Sequence, residues 1–489
     1  MLHPQNTSYK KIFYCGLLVQ IIAAWFSVGF NHYDEHYQVL EFCNYKLSLS
    51  PASALPWEFG TQCRGALQPF IAYCFCRALQ LVGHYNPFWV AFLLRLCMGL
   101  LTWLVTCRLV KLLLPEFLTE KGKHLYIGAS FLLWFVAYCG VRFSAENIAG
   151  ILFFLALSFI LELQTDDTLK RPVRVAAIGL LLGFVFMLRL QMAFAFIGFG
   201  MWLLLYGKWR FSDWLLLIFC SLVAIGMGAI ADHWFYGAWV FTPYNYFKVN
   251  ILQHAAAKFG VFPWWYYVSL FFQYAVPPVS MVLLPLFFVG ISRKPRHLFT
   301  LFTIVFIIGH SAIGHKEMRF LLPITTAFIF FSCLGIDWLI NRYPKKWFFR
   351  WPLKTVIIIN CLILGVKIII PSHESIPYYK FIYDQARQRQ TILISFEKSP
   401  YNLVDLNSNF YRYPGLQEVI IHTPGEIAEV LKNAVGKSVL FLNPQIDPIP
   451  EISSFKKEQV YCLLPSWVRL LNFNDWQSRS FIWTVYKLQ

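Results

Sequence analysis

Charged residues are scarce in this sequence. Asp, Glu, Lys and Arg make up only 14% of the 489 residues, whereas hydrophobic residues make up 58%. A soluble domain carries roughly 25% charged and about 45–50% apolar residues, so a chain this poor in charge cannot cover its whole surface with hydrated groups. Together with 48 Phe and 18 Trp, this composition predicts helices that face lipid, with aromatic rings at the membrane interfaces.

The sequence also lacks the residue spacings of common metal and redox sites. It contains 12 Cys, most of them inside apolar segments, and none of them forms a CxxC pair. We therefore expect buried, inert thiols, while a pairing of Cys43 with Cys63 in one loop stays open. The acidic residues form no DxD-type metal site either, so no metal ligand and no cofactor is expected.

The formal net charge of +17 has two readings. In a soluble protein it would suggest a nucleic-acid partner. Here the Lys and Arg residues cluster in short loops between apolar segments, which is the pattern of cytoplasmic loops in membrane proteins. We therefore expect membrane lipid, and no nucleic acid, around this chain.

Apolar segments close to the roughly 20 residues that a membrane span needs recur along the first three quarters of the chain. The first lacks a small-residue cleavage site, so it is expected to be retained as a helix. About eleven spans are predicted, at 12–30, 88–110, 125–141, 147–163, 175–190, 191–206, 214–231, 267–290, 298–314, 320–340 and 355–370.

One more apolar stretch, 66–83, is ambiguous, and the charge of the loops decides it. If it does not span and the N-terminus is cytoplasmic, the cytoplasmic loops are rich in Lys and Arg, and the alternate loops are much poorer in both. Those loops are 108–124, 164–174, 207–213, 291–297 and 341–354. If the stretch does span, the charge bias inverts. We therefore predict that 66–83 lies along the outer surface of the membrane.

The composition changes after residue 370, where mixed polar and apolar sequence begins. It contains three β-like runs, at 391–396, 438–442 and 480–488. Thr423 with Glu426 three residues later is typical of a helix N-terminus, with Thr423 as the capping residue. An odd number of preceding spans places this part outside the cytoplasm.

The predicted fold class is therefore an all-α polytopic membrane protein with a small C-terminal α/β domain. The predicted domains are a transmembrane module at 1–370 and an extracytoplasmic α/β domain at 371–489. The module includes a first outer loop at 31–87 with juxtamembrane helices.

The first outer loop carries adjacent carboxylates, Asp34 and Glu35, directly after the first span. Such groups are costly to bury at a membrane boundary and are usually functional. In an α-helix Asp34, Gln38 and Glu41 would share one face. The alternative is that Asp34 only caps the start of a helix.

Other outer loops are rich in cations that can hold an anion: His315, Lys316 and Arg319 in one cluster, and Arg142 and Arg189 singly. The two single arginines can also act as headgroup anchors. A base deprotonates an attacking hydroxyl, and cations stabilise the charge that develops on a leaving phosphate. This combination fits transfer of a sugar from a lipid phosphate to an alcohol.

These loops resemble glycosyltransferase family 22 of the GT-C superfamily, which includes the α-mannosyltransferases of GPI-anchor and N-glycan-precursor assembly. The matching pieces follow the family's order, and the segment 315–323 is most similar to the GPI-anchor branch. The pieces are HYDEHYQ at 32–38 with Glu41, WEF at 57–59, Arg64 with Pro69, FYG at 235–237, TPYN at 242–245 with Asn250, Gly260 with Pro263 and Trp264, and HKEMRF at 315–320.

The resemblance implies a GT-C fold and inverting, metal-independent transfer of a hexose, expected to be mannose. The donor would be a polyprenyl- or dolichyl-phosphate-linked sugar, and the acceptor a lipid-linked compound or a glycan. The catalytic residues would be Asp34 as the base, with Glu35 as the second candidate, and the phosphate ligands would be His315, Lys316 and Arg319. The substrate-binding residues would be His32, Gln38, Glu41, Trp57, Glu58, Arg64, Tyr236, Asn245 and Asn250.

Three other functions stay open. A flippase or transporter for a lipid-linked sugar would place its site near the bilayer midplane, whereas these polar clusters fall at one face. A GT-C transferase for another sugar, or a receptor whose C-terminal domain binds partners, is also compatible with the sequence. The face that holds the site would be periplasmic in a bacterium and lumenal in the endoplasmic reticulum of a eukaryote.

Overall fold

The computed structural model describes residues 7–165, 170–343, 350–446 and 455–488, so parts of the predicted loops 164–174 and 341–354 lie outside the described residues. The chain divides into two compact units. The first, the membrane unit, comprises the residues up to Ser27, Trp57–Phe75 and Ala91–Ile370. The second, the mixed unit, comprises Val28–Pro56, Cys76–Val90 and the chain from Pro371 onward.

Long apolar helices dominate the membrane unit, and the prediction of a multi-pass integral membrane protein is confirmed. Within the described ranges, seven helices are long and apolar enough to cross a membrane. They are Ser8–Phe26, Pro87–Glu116, Ala145–Gln164, Arg171–Leu188, Phe211–Tyr236, Met318–Arg342 and Trp351–Ile369. Three shorter apolar helices cover further predicted spans: Leu190–Tyr206, Val279–Arg293 and Leu298–Ala312. The total of eleven spans stays a prediction.

The predicted span at 125–141 is wrong as a single helix. The chain forms two helices there, Glu120–Leu132 and Trp134–Gly140, because Leu133 adopts an extended conformation between them. The side chain of Asn360 replaces backbone hydrogen bonds that are lost at this break. Its Oδ1 accepts from the Trp134 N–H at 2.9 Å, and its Nδ2 donates to the Leu132 carbonyl at 2.8 Å.

The predicted span at 267–290 is also divided, into Tyr266–Tyr274 and Val279–Arg293. Pro277 and Pro278 lie in the connection, and proline has no backbone N–H with which to continue a helix. The remaining helical segments of this unit are short. They are Trp57–Gly60, Thr242–Phe247, a π-helical turn at Lys248–Leu252, and a 3₁₀ turn at Ala255–Phe259.

The ambiguous stretch 66–83 forms one helix, Leu67–Leu81. At a rise of about 1.5 Å per residue its 15 residues extend roughly 22 Å, which is less than the ~30 Å of a hydrocarbon core. Val279–Arg293 and Leu298–Ala312, which cover predicted spans, have the same length, so length alone does not decide whether Leu67–Leu81 spans. Its placement along the outer surface stays a prediction.

Close helix packing in the membrane unit depends on glycine. A Cβ at Gly290 would overlap the carbonyl oxygen of Phe331, and one at Gly335 would overlap the carbonyl oxygen of Leu286. The two helices that carry these glycines therefore approach backbone to backbone, which is the packing favoured between membrane helices.

A five-stranded sheet forms the centre of the mixed unit, which confirms the predicted C-terminal α/β fold. The strands are β1 (Thr391–Phe396), β2 (Asn402–Leu403), β3 (Leu406–Asn407), β4 (Gln417–Ile421), β5 (Ser438–Asn443), β6 (Lys457–Cys462) and β7 (Thr484–Leu488). The order in the sheet is β4-β1-β5-β7-β6. Strand β1 pairs parallel with β4 and β5, and β7 pairs antiparallel with β5 and β6, while β2 and β3 form a separate hairpin. The helices of this part are Ser375–Gln388, Glu426–Lys432 and Ser466–Arg469.

The predicted helix after Thr423 begins at Glu426, and its capping residue is Gly425. Glu426 nevertheless reaches back as predicted, because its carboxylate accepts from the Thr423 N–H at 2.8 Å and from the Thr423 hydroxyl at 2.7 Å.

The mixed unit takes in more of the chain than the predicted 371–489 domain, since it includes much of the first outer loop. The Ser372 N–H donates to the Val28 carbonyl at 2.7 Å, and Asn409 donates to the Ser50 hydroxyl at 3.0 Å. Residues 28–56 and the C-terminal sheet therefore form one compact body.

The cysteines are free thiols, so the pairing of Cys43 with Cys63 is not formed. The buried Cys43 instead has its Sγ atom 3.6 Å from the Sγ atom of Cys76, within the mixed unit.

Candidate active site

The predicted catalytic carboxylates lie on a helix of the mixed unit whose winding changes along its length. Tyr33–Glu35 is α-helical, His36–Glu41 is π-helical, and Phe42–Lys46 is α-helical again. A π-helical turn holds more residues than an α-helical turn, so the spacing that would place Asp34, Gln38 and Glu41 on one α-helical face does not apply.

Asp34 and Glu35 occupy the first turn of this helix. His32 caps the turn, because its Nδ1 accepts a hydrogen bond from the Asp34 N–H at 3.2 Å. The Asp34 side chain is 24% exposed, and its Oδ1 lies 3.4 Å from the same imidazole nitrogen. The Glu35 carboxylate accepts a long bond, 3.4 Å, from the Asn31 N–H. Both carboxylates therefore have local partners, and Asp34 keeps access to solvent.

Glu41 is in a different environment, since its side chain is only 1% exposed. Its Oε1 lies 3.0 Å from Nε2 of the buried His36 and accepts from the Phe410 N–H at 2.8 Å. These contacts connect the first-loop helix to the C-terminal part of the mixed unit. The predicted substrate-binding role of Glu41 stays untested, as does that of the half-buried Gln38.

Tyr37 makes the same connection. Its hydroxyl lies 3.0 Å from the carbonyl oxygens of Leu403 and Leu406 and 2.9 Å from the Ser408 hydroxyl. Burial raises the pKa of Tyr37 to about 12, so the hydroxyl stays protonated at physiological pH and can donate. The helix that carries Asp34 is thus fixed to the turn between β2 and β3.

The cations predicted to hold the donor phosphate lie in the membrane unit, where most of them contact carboxylates. Arg319 donates through Nε to Glu317 at 2.6 Å and through Nη2 to the same carboxylate at 3.2 Å. His315 lies with Nε2 2.9 Å from Glu317 and with Nδ1 3.2 Å from the Gly260 carbonyl oxygen. The structure therefore brings His315 and Arg319 together around one acidic residue.

Lys316 points to a different set of partners. Its ammonium group donates to the carbonyl oxygens of Phe262, at 3.2 Å, and Ile313. Lys316 is 3% exposed, and burial lowers the pKa of its ammonium group. In this arrangement Lys316 holds two backbone segments together.

The structure shows a buried ion pair next to this cluster that the sequence did not predict. Glu146 has its Oε1 2.9 Å from Nη1 of Arg189 and 3.5 Å from Nη1 of Arg319, and its side chain is 3% exposed. Glu146 and Arg189 are 43 residues apart in sequence, so no local spacing pairs them. The only available sequence signal was that both are ionisable groups near the predicted outer ends of spans.

The predicted substrate-binding residues between 57 and 250 form a second cluster in the membrane unit. Arg64 Nη2 lies 3.7 Å from the Glu58 carboxylate, and its guanidinium lies 5.2 Å from the centre of the Tyr246 ring. The Tyr236 hydroxyl donates to the Arg64 carbonyl at 2.8 Å. These contacts place the WEF, Arg64 and FYG pieces side by side.

The two predicted asparagines support the same cluster. Asn245 donates to the Gln62 carbonyl at 3.0 Å, and Asn250 donates to the Tyr246 carbonyl at 3.2 Å. Trp57 is 43% exposed and has the open surface that an aromatic contact to a ligand requires.

Asp232, another buried acidic residue, fixes this cluster to its helix. It is fully buried, and its carboxylate accepts from the Ala66 N–H at 2.8 Å and from the Thr242 hydroxyl at 2.6 Å. Its position just before the FYG piece was visible in the sequence, but the partner at Ala66 was not.

No group of three or more His, Cys, Asp or Glu side chains that could hold a metal ion occurs among the residues that the structure describes.

Residues 11–417 match a sequence model described as the Alg9-like mannosyltransferase family. The chain is 26% identical over 298 residues to GPI alpha-1,2-mannosyltransferase 3 of Xenopus laevis, covering 60% of this chain and 53% of that protein. It is 28% identical over 304 residues to GPI mannosyltransferase 3 of Candida albicans, covering 62% of this chain and 59% of that protein. The matches thus span little more than half the length of these relatives.

Among solved structures, the chain resembles ArnT from Cupriavidus metallidurans bound to undecaprenyl phosphate. The TM-score is 0.54 at 11% sequence identity, and the match covers 98% of both chains. At this identity the likeness concerns the fold alone, and it confirms the GT-C architecture. Since the family model covers most of the sequence, the chain belongs to the Alg9-like mannosyltransferase family.

Proposed function

We propose that this protein transfers mannose, with inversion, from a polyprenyl- or dolichyl-phosphate donor to a lipid-linked or glycan acceptor. The observation that carries the proposal is the family match over residues 11–417, which includes every predicted site residue.

The proposed reaction is a single displacement at the anomeric carbon. The acceptor hydroxyl oxygen forms the new bond to that carbon, the bond to the donor phosphate oxygen breaks, and the electron pair leaves with the lipid phosphate. Asp34 takes the hydroxyl proton as general base. Its partial exposure, 24%, supports this role because a base must be reached by its substrate.

The leaving phosphate gains charge in this step, and preorganised cations lower the barrier by stabilising that charge. Arg319 is the strongest candidate among the predicted ligands, because a guanidinium can hold phosphate through two parallel hydrogen bonds. Its present contacts with Glu317 use the same donor groups. Phosphate binding would therefore require Arg319 to share or exchange these bonds. Lys316, whose ammonium group contacts two backbone carbonyl oxygens here, stays a predicted second ligand of this phosphate.

The relatives' names suggest the first acceptor and linkage to test. Proteins named GPI alpha-1,2-mannosyltransferase 3 match 60% of this chain, so we infer a glycosylphosphatidylinositol lipid as acceptor and an α-1,2 linkage. We place the reaction on the non-cytoplasmic face, because the loops rich in Lys and Arg are those on the opposite side of the predicted spans.

Purified full-length protein in lipid nanodiscs tests this function directly. We expect it to move labelled mannose from polyprenyl-phosphate mannose to a mannosylated glycosylphosphatidylinositol lipid, and an α-1,2-specific mannosidase should release the label. The matched control is Asp34→Asn. Movement of intact donor across vesicle membranes without cleavage would instead identify a flippase.

The same assay tests metal independence. We expect full transfer in the presence of EDTA, because cationic side chains are proposed to stabilise the leaving phosphate. Activity that EDTA removes and that magnesium or manganese restores would contradict this part of the proposal.

A further inference from the structure

Arg189 lies directly after the helix Arg171–Leu188 and is only 5% exposed. One of its terminal nitrogens, Nη1, pairs with the Glu146 carboxylate at 2.9 Å. Its guanidinium also lies 5.1 Å from the centre of the Phe320 ring. The side chain is therefore held in one orientation, next to Arg319, which contacts the same carboxylate.

The edge of the Arg189 guanidinium formed by Nε and Nη2, its fork, is not used by the protein. Its Nε and Nη2 atoms are buried and have no hydrogen-bond partner among the described residues. Buried N–H donors in native proteins nearly always have a partner, since an unmade bond costs the full desolvation of the group. Two adjacent donors of a rigid guanidinium match the oxygens of a phosphate or carboxylate.

Two further buried polar atoms near Arg189 share this property. The Tyr267 hydroxyl and Nε2 of His310 also have no partner within the described ranges. The charge of Arg189 acts on both side chains, and the His310 ring lies 6.5 Å from the same Phe320 ring. Three unpartnered polar groups on three separate helical segments thus occupy one neighbourhood of the membrane unit.

The hydrogen-bonding roles of these groups specify the ligand. Arg189 and the Tyr267 hydroxyl can donate to an anionic oxygen. His310 contacts the Phe306 carbonyl through Nδ1 at 3.0 Å, so Nδ1 carries the proton and Nε2 is an acceptor. A ligand with anionic oxygens and a neighbouring hydroxyl group satisfies all three, and a sugar joined to a phosphate has both.

We propose that Arg189, oriented by Glu146, binds the phosphate of the lipid-linked donor, with Tyr267 donating to the same phosphate and His310 accepting from a sugar hydroxyl. This inference rests on the proposed function and identifies where that function binds its donor.

The chain contains a matched control at the other end of the same helix. Arg171 is 8% exposed and pairs with a carboxylate, as Arg189 does. However, Arg171 donates through Nε and Nη2 to Asp213, at 3.0 and 2.7 Å, and through Nη2 to the Lys208 carbonyl at 3.0 Å. Its Nε and Nη2 donors are occupied by the protein, and it lies in the predicted cytoplasmic loop 164–174, at the other end of the helix from Arg189. Arg171 should therefore serve stability alone.

The experiment measures binding of polyprenyl phosphate, and separately of polyprenyl-phosphate mannose, to purified full-length protein in nanodiscs. Arg189→Lys keeps a cation beside Glu146 but loses the fork, and we expect it to bind both lipids roughly tenfold or more weakly. Tyr267→Phe removes one donor and should weaken both lipids less. Arg171→Lys should lower the unfolding temperature while binding stays within about twofold of the original protein.

Each outcome decides a different point. Binding by Arg189→Lys that equals the original would overturn the inference and make the pair with Glu146 structural, with water as the partner of its free donors. An equal loss in Arg171→Lys would also overturn it, because any buried arginine would then produce the effect. Arg189-dependent binding of polyprenyl phosphate without mannose transfer would contradict the proposed function and leave the phosphate site standing.

Discussion

The side chain of Asp34 is 24% exposed, whereas that of Glu41, seven residues later, is 1% exposed. The two carboxylates therefore suit different tasks. Glu41 is bound to His36 and to the Phe410 N–H, which holds the helix in place, and Asp34 remains accessible for a proton transfer.

We expect Asp34→Asn to lower turnover by about 10²–10⁴-fold, the usual contribution of a general base. The change keeps the size of the side chain and removes only its ability to accept a proton, so donor binding should persist. Initial rates of mannose transfer, together with a donor-binding assay, check both halves.

Glu35→Gln is the control for this assignment, since the neighbouring carboxylate has the same chemistry. If Glu35→Gln abolishes turnover in folded protein while Asp34→Asn does not, the base is Glu35. If neither change matters, the pair serves the helix start and the first loop is structural.

Arg319 tests the other half of the proposed reaction. Arg319→Lys keeps the charge but loses the two-pronged contact, so we expect turnover to fall roughly tenfold or more. The matched variant is Arg171→Lys, the same change at a buried arginine whose Nε and Nη2 donate to Asp213, which should affect stability more than the donor. Steady-state kinetics with varied donor concentration would show unchanged turnover for Arg319→Lys if Arg319 served only to neutralise Glu317.

At the scale of elements, the long spans were predictable because about 20 consecutive apolar residues have few alternatives to a membrane helix. The breaks were not predictable, because each depends on a distant partner. Leu133 interrupts its helix where Asn360, more than 200 residues away in sequence, provides the replacement hydrogen bonds. The π-helical turn at His36–Glu41 also follows no local rule, and it changed which side chains face together.

The strands show the same division. Apolar runs predicted β1 and β5, which are buried on both faces, and the predicted run 480–488 contains β7. Strands β4 and β6 lie at the sheet edges and are only partly buried. Each begins with charged or amide side chains and has only three hydrophobic residues in a row, which is too short a run to be recognised.

The burial of His373 predicts that the stability of the segment joining the first loop to the C-terminal sheet depends on pH. Its ring stacks on Phe30 with ring centres 4.2 Å apart, and its Nδ1 accepts from the Ser375 N–H at 3.3 Å. Burial, with a smaller effect from His36, lowers the pKa of His373 to about 4 from its ordinary value near 6.5. The folded protein therefore binds this proton less readily than the unfolded chain.

The stability that neutral His373 contributes is full above about pH 6.5 and is lost as the pH falls toward 4. We expect the free energy of unfolding to fall by about 1–2 kcal/mol between pH 7 and pH 5 from this residue. Thermal unfolding at both pH values checks it, with His373→Asn as the control that retains an acceptor for Ser375. An equal loss of stability in the control would assign the effect to other groups.

At the scale of the whole molecule, the sequence predicted two kinds of structure and their boundary near residue 370. It did not predict that residues 28–56 and 76–90 join the C-terminal part in one compact unit. Composition shows which residue types a segment contains. The compact unit to which a segment belongs depends instead on contacts such as those of Tyr37 with Leu403 and Ser408. Those contacts link positions more than 360 residues apart.

This organisation gives the C-terminal domain a role in the proposed reaction. Residues 371–489 supply the partners of Tyr37, Glu41 and Ser50, and all three residues follow the proposed base Asp34 in the same loop. A chain ending at Ile370 should therefore still insert into the membrane, because its spans are intact, but its first loop would lose the body that orders it. We expect mannose transfer to fall below detection while the amount of membrane-integrated protein is retained, as measured by transfer assay and by quantitative immunoblot of washed membranes.

The control is Val435→Ser, a change at a side chain of the same domain that is 89% exposed, which should leave transfer unaffected. Near-full transfer by the truncated chain would show that Asp34 needs no support from the C-terminal domain, and the proposed base would then have to act from a loop ordered by the membrane unit or by the substrate.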